Sequence, residues 1–196
     1  MEWRRWPGSS MRSSWSISPT GAWENARVLR VRPARPEDAA DVAAVHVRSW
    51  QAAYRGLIAD GYLDSLRPED RMARYTFGSR DPRQPLTFVA VEDGVISGFA
   101  TTGPSRDTDV PQRGELFGLY VDPPAWGRGT GRRLMVHARE HLSRRGCTEA
   151  VLWVLVGNDR AEHFYRADGW LPDGRRQSEE IWGVTVDETC YRRDLP

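Results

Sequence analysis

The chain of 196 residues contains no lysine, because all 28 of its basic side chains are arginine. This absence excludes the phosphate-binding loop of NTPases, which requires a lysine, and all chemistry that proceeds through a lysine Schiff base. The 27 acidic residues leave a formal net charge of only +1, so no overall basic field attracts nucleic acid. We therefore expect no nucleic-acid partner.

Long apolar runs and cysteines are also scarce. No stretch approaches the roughly 20 apolar residues of a membrane-spanning helix, so we expect no membrane association. Cys147 and Cys190 form neither a disulfide framework nor a metal-ligand spacing, which favours a cytoplasmic protein. The segment from His137 to His141 has the H-x-x-E-H pattern of some zinc proteases, but no further acidic ligand motif accompanies it. No metal is predicted.

Residues 1–27 differ in composition from the rest of the chain. They hold four of the nine tryptophans among Ser, Gly and Pro, with no apolar periodicity and no uninterrupted apolar core of a secretory signal. We predict a disordered extension over residues 1–27 and one folded domain over residues 28–196.

Apolar periodicity and turn residues predict an α/β domain (a mixed α+β sheet) in the order β-α-α-β-β-β-α-β-α-β-β. The predicted strands are Val28–Arg32, Thr87–Val91, Val95–Thr101, Glu115–Val121, Ala150–Val156, Ile181–Val186 and Cys190–Leu195. The predicted helices are Pro36–Trp50, Asp60–Tyr75, Gly131–Leu142 and Asp159–Ala167.

The most informative segment leads from a strand through alternating glycines into a helix. Gly127, Gly129 and Gly131 lack Cβ atoms, so several backbone N–H groups can converge on one anion at the helix N-terminus. Residues 128–145 contain six arginines and one acid, a local charge of +5. A dinucleotide-binding fingerprint would need a glycine at position 132, which is Arg132. The pattern therefore indicates a different phosphate-bearing ligand.

Two segments together resemble a known family. Leu119–Pro123 with Gly127–Gly131 resembles motif A of the GNAT superfamily of acetyl-CoA-dependent N-acetyltransferases, and Val156–Trp170 resembles its motif B. The resemblance extends over residues 28–195. It implies a GNAT-like fold, which is a central twisted mixed sheet of about seven strands, splayed between the fourth and fifth, with about four helices.

The resemblance also implies a binding mode for acetyl-CoA. Backbone amides of residues 128–132 would hold the pyrophosphate, and residues 119–121 would pair with the pantetheine as an added strand. Trp126 stands where the family usually has Gln or Arg. The implied cofactor-binding residues are Leu119, Tyr120, Val121, Trp126, Gly127, Arg128, Gly129, Thr130, Gly131, Arg132 and Asn158.

Catalytic roles follow from the same resemblance. Tyr165 matches the motif B tyrosine that protonates the departing thiolate, although it could instead be a core aromatic residue. Glu115 is a candidate base, with a structural ion pair to an arginine such as Arg113 as the alternative. Trp50 and Tyr54 are candidates for the acceptor pocket or, equally, for core anchors.

The predicted activity is transfer of acetyl from acetyl-CoA to a primary amine by direct attack in a ternary complex. The alternative is a non-catalytic acyl-CoA-binding sensor or regulatory module on the same scaffold. A small-molecule amine, an aminoglycoside-like antibiotic and a protein N-terminus all remain open as acceptors, and so does a homodimer.

Overall fold

The computed structural model describes residues 28–79, 81–107, 109–110 and 112–196. The extension predicted at residues 1–27 lies outside these ranges, so its expected disorder stays a prediction.

A seven-stranded sheet forms the centre of the fold. Its strands in chain order are β1 (Arg30–Pro33), β2 (Leu86–Glu92), β3 (Val95–Pro104), β4 (Arg113–Val121), β5 (Glu149–Leu155), β6 (Leu171–Ile181) and β7 (Val184–Asp194). They lie in the order β1-β2-β3-β4-β5-β7-β6, with β4 and β5 parallel and the other neighbours antiparallel. The predicted mixed sheet is therefore confirmed.

Five α-helices accompany the sheet in the described residues. They are α1 (Ala39–Ala53), α2 (Asp60–Ser65), α3 (Pro68–Met72), α4 (Thr130–Arg144) and α5 (Asp159–Ala167). The single helix predicted over residues 60–75 is wrong, because Pro68 forces Arg67 before it into an extended conformation and separates α2 from α3. None of these helices is long and apolar enough to cross a membrane.

The closing strands also differ from the prediction. The chain turns at Trp182 and Gly183, in the middle of the predicted strand Ile181–Val186. Both residues have positive φ, 59° and 86°, as the two central residues of a type I′ hairpin turn do. The strand before the turn, β6, begins with Leu-Pro-Asp-Gly and has no fully buried residue, so it lacks the apolar signature of a strand.

Helices cover both faces of the sheet. Side chains alternate along β2, so Val89 packs with Val42 and Val45 of α1, whereas Phe88 packs on the opposite face with α4. There α4 buries Leu134, Met135, Ala138 and Leu142. The sheet thus holds α1 and the loop before α4 in fixed positions on either side of β4.

The sheet opens between β4 and β5. The two strands pair only from Arg113 opposite Glu149 to Leu116 opposite Leu152, although β4 continues to Val121. A register shift in the β3–β4 ladder makes Phe117 an extra residue at the point where the pairing ends. Beyond this bulge, one edge of β4 is free to pair with a ligand.

Candidate active site

A cleft of about 800 Å³ lies where β4 and β5 separate. Its walls come from α1, the second half of β4, the loop and first turn of α4, the end of β5, α5 and the tip of the β6–β7 hairpin. Every predicted site residue except Arg128 lines this cleft. The fold therefore brings together residues that lie as far apart in the chain as Trp50 and Tyr165.

The glycine loop forms the mouth of the cleft next to α4. Gly127 and Gly129 have φ values of 74° and 88°, in the left-handed region that glycine adopts without a Cβ penalty. Gly129 is the N-cap residue of α4, so the unpaired N–H groups of the first helical turn lie at this mouth. Gly131 packs against α5, since a Cβ there would come within 3.3 Å of the Phe164 ring. The geometry is that of an anion-binding helix terminus.

The indole of Trp126 has two contacts that local sequence did not indicate. Its Nε1 donates a 2.7 Å hydrogen bond to the carbonyl of Val121, which also accepts from the Ser49 hydroxyl at 3.0 Å. Over the ring face lies the Arg160 guanidinium of α5, 3.5 Å from the ring centroid. Arg160 has no carboxylate partner among the described residues, so it adds an unneutralised positive charge beside the glycine loop.

Across the mouth, Asn158 is the N-cap residue of α5. Its side-chain oxygen accepts from the Ala161 N–H at 3.2 Å, which leaves the two donors of its amide group for a ligand.

Glu115 is buried, with 2% of its surface exposed, and it is paired with an arginine. The partner is Arg106, whose Nη2 and Nε approach Oε1 at 2.8 and 3.0 Å and whose backbone N–H approaches Oε2 at 3.0 Å. Arg113, the partner suggested by sequence proximity, pairs instead with Asp107 and Glu149. Three hydrogen bonds from one arginine hold this carboxylate in a fixed position.

A second buried carboxylate, Glu188, lies at the open end of β5. It stands opposite Leu155 of β5 and Gln177 of β6, and its Oε2 accepts from the Gln177 amide at 2.9 Å. Only 8% of Glu188 is exposed, and burial raises the pKa of its carboxyl group above the ordinary value. No local pattern marks Glu188, because its position depends on β7 pairing with β5 across a long chain separation.

Tyr165 reaches the cleft from α5. Burial raises the pKa of its phenol well above the usual value, and the neighbouring Tyr120 phenol adds to that rise. The phenol therefore stays protonated at neutral pH. Its hydroxyl makes no hydrogen bond to any residue that the structure describes, so it can donate to a bound ligand.

The wall formed by α1 is aromatic. Trp50 and Tyr54 line the cleft, with their rings in an edge-to-face contact at 5.0 Å. Behind them His46 is buried, its Nδ1 2.6 Å from the Tyr75 hydroxyl. Burial, with a smaller contribution from Arg71, lowers the pKa of His46 to about 3, so it is neutral at physiological pH. His46 is a packed residue and is not among those that line the cleft.

The comparisons with known proteins agree with this geometry. Residues 46–170 match the model of the acetyltransferase (GNAT) family. The uncharacterized N-acetyltransferase YuaI of Bacillus subtilis (strain 168) is 33% identical over 163 residues, 82% of this chain and 90% of that protein.

Solved structures share the fold. The PaiA N-acetyltransferase of Thermoplasma acidophilum, solved with coenzyme A, has a TM-score of 0.63 at 20% identity, covering 86% of this chain and 99% of that one. YncA of Salmonella typhimurium, solved with its cofactor acetyl-CoA, has a TM-score of 0.64 at 21% identity, covering 86% and 95%. The family-model match, the similarity to YuaI and the cleft between β4 and β5 together show that the chain belongs to the GNAT family and is an N-acetyltransferase.

Proposed function

We propose that this protein transfers the acetyl group of acetyl-CoA to a primary amine by direct attack in a ternary complex. The observation that carries the proposal is the cleft itself. It combines an anion-binding helix terminus, a free strand edge, a protonated phenol and a buried carboxylate in one cavity. A phosphate-bearing thioester and an amine need these four features.

The cofactor would enter along β4. Backbone N–H groups from Arg128 to Arg132 would hold the pyrophosphate at the start of α4. The pantetheine would pair with the free edge of β4 between Leu119 and Val121. Because the Val121 carbonyl already accepts two hydrogen bonds, this pairing would use the remaining backbone groups of the strand. Asn158 would donate from the opposite side.

Arg160 would supply the side-chain contact to phosphate that Gln or Arg at position 126 would usually make in the family. The guanidinium packs on the face of the Trp126 ring, and this cation–π contact restricts the long Arg160 side chain at the mouth of the cleft. A guanidinium restricted in this way loses little entropy when it binds a phosphate.

The proton transfers would divide between two residues. An amine is mostly protonated at pH 7, and Glu188, whose pKa is raised by burial, would take its proton. Glu115 is held by Arg106, so its role would be to position that arginine. After the nitrogen attacks the thioester carbon, a β4 backbone N–H would stabilise the oxyanion. As the C–S bond breaks, Tyr165 would give its proton to the CoA thiolate. The attacking nitrogen would release its extra proton to solvent to form the neutral amide, and Tyr165 would recover a proton from solvent.

The test combines binding and turnover in the full chain. Calorimetry should show saturable binding of acetyl-CoA, and a panel of amines should release free CoA thiol in proportion to acetylated product. Binding without thiol release from any amine would favour the acyl-CoA sensor instead, and no binding at all would reject both hypotheses.

A further inference from the structure

Two arginines flank a strained tryptophan at the end of the cleft away from the glycine loop. The ring of Trp182 lies 4.2 Å from the Arg71 guanidinium and 4.7 Å from that of Arg74. Trp182 has a φ of 59°, which is costly for a bulky residue, and its carbonyl accepts a 2.6 Å hydrogen bond from the Tyr62 hydroxyl. Backbone strain of this kind persists where the surroundings fix it, and it is concentrated at binding sites.

Arg71 carries a buried charge without a matching anion. Only 8% of its surface is exposed, and its contacts are the Tyr62 hydroxyl at 3.1 Å and the rings of Trp182 and Trp50. Buried charges are normally paired, and Glu115 has such a partner in Arg106. Neither Arg71 nor Arg74 has a carboxylate partner among the described residues.

Part of this positive charge faces the cleft. Arg74, Trp182 and Trp50 line it, so an anion in the cleft could contact Arg74, while Arg71 lies against the rings of Trp182 and Trp50. His46 is neutral at physiological pH, so it neither adds to this positive charge nor balances it. On the β6–β7 wall, Glu179 and Glu188 share the Gln177 amide and line the same cavity as Arg74.

We propose that the acceptor is an amino acid or a closely related amine that carries a carboxylate. This proposal rests on the acetyltransferase function proposed above. The acceptor amine faces Glu188, and its carboxylate binds Arg74 with support from the charge of Arg71. A polycationic antibiotic would place positive charge against the arginine pair. A protein N-terminus has no carboxylate beside its amine, because that group is part of the peptide bond.

The experiment compares each proteinogenic amino acid with its α-carboxamide in the thiol-release assay, using the full chain. The carboxamide keeps the amine and removes only the negative charge. The wild type should acetylate at least one amino acid with a kcat/KM about 10- to 100-fold above that of its carboxamide, the effect of a charge-assisted hydrogen bond. Arg74→Gln should raise KM for the amino acid and leave the carboxamide unchanged, which removes the preference.

Two further variants separate recognition from structure. Arg71→Lys keeps the charge, so it should retain part of the preference, whereas Arg71→Gln should not. Arg67→Gln is the matched control, since among the described residues the Arg67 side chain donates hydrogen bonds only to the carbonyls of Asp64 and Leu66. It should leave the preference intact.

The outcomes distinguish the two proposals. If the protein binds acetyl-CoA but acetylates no amino acid faster than its carboxamide, the carboxylate inference is overturned and the acetyltransferase function stands. The inference also fails if Arg74→Gln slows both substrates equally, because the arginines would then only brace the hairpin. Failure to bind acetyl-CoA would reject the proposed function itself.

Discussion

Gly129 offers a direct test of the anion-binding loop, because Gly146 provides a conformational match. Both have left-handed φ values, 88° and 80°, and a Cβ at either position would meet no atom within 4 Å. Gly129 lines the cleft, whereas Gly146 follows the C-terminal end of α4 and is not among the cleft-lining residues. Alanine at either site therefore introduces the same backbone strain, and only one site is near the expected phosphate.

The expected magnitudes follow from that geometry. Placing alanine in the left-handed region costs about 1–2 kcal/mol, partly offset because alanine also restricts the unfolded chain. Each variant should lose about 1 kcal/mol of stability, which lowers Tm by about 2–4 °C in a protein of this size. Gly129→Ala should also shift the amides at the start of α4. Losing one charge-assisted hydrogen bond to phosphate corresponds to about 1.5–3 kcal/mol, or roughly a 10- to 100-fold rise in Kd.

Calorimetric titration of acetyl-CoA and thermal unfolding of both variants provide the measurements. Gly146→Ala should bind acetyl-CoA like the wild type despite its lower Tm. Equal affinities in Gly129→Ala and Gly146→Ala, with equal losses of stability, would show that the loop amides do not hold the pyrophosphate.

Tyr165→Phe should bind acetyl-CoA normally but slow single-turnover acetyl transfer by about 10²-fold or more, and equal rates would exclude the acid role. Because burial raises the pKa of the phenol, the wild type should show no alkaline loss of activity up to about pH 10. Glu188→Gln should lower kcat by about 10²- to 10⁴-fold and remove the acidic limb of the wild-type pH profile. Because burial raises the pKa of Glu188, that limb should lie at a higher pH than for an ordinary carboxyl group. A larger loss of kcat in Glu115→Gln would assign the base to Glu115 instead. Arg160→Gln should weaken acetyl-CoA binding about 10-fold, and the wild-type affinity in that variant would show that the guanidinium does not contact phosphate. His46 has a folded-state pKa of about 3, below its ordinary 6.5, so between these pH values the unfolded chain binds a proton at His46 that the folded chain does not. The free energy of unfolding should therefore fall by up to about 5 kcal/mol as pH drops from 6.5 to 3. Denaturant titrations should show a smaller decrease over the same range in His46→Gln.

Features encoded by neighbouring residues were predictable. The glycine alternation between β4 and α4 predicts a loop without Cβ atoms at the start of the helix, and in the structure Gly127 and Gly129 of this loop have positive φ. The apolar run of β5 likewise corresponds to a strand with residues 150–152 almost fully buried. Strand, loop and helix follow one another in the chain, so their order locates the proposed phosphate end of the cleft.

Contacts across the sheet could not be predicted in this way. Glu188 enters the cleft because β7 lies between β5 and β6, an order that no local pattern specifies. The partner of Glu115 is Arg106 from the β3–β4 loop, although Arg113 is closer in sequence. The hairpin turn at Trp182 has no local signal, because its first residue is not a typical turn residue. Its strained conformation is held by contacts with Tyr62 and two arginines that are distant in the chain.

The difference between the features that sequence predicts and those that it does not has a physical cause. Backbone preferences and apolar periodicity act over a few residues, so they determine where the sheet strands and the anion-binding loop form. The charge of the cleft near Trp182 depends on which side chains are buried together after the sheet has assembled, and residues far apart in the chain supply those side chains. The glycine-loop side of the cleft is therefore encoded locally, whereas the opposite side exists only once α3, β6 and β7 have packed around Trp182.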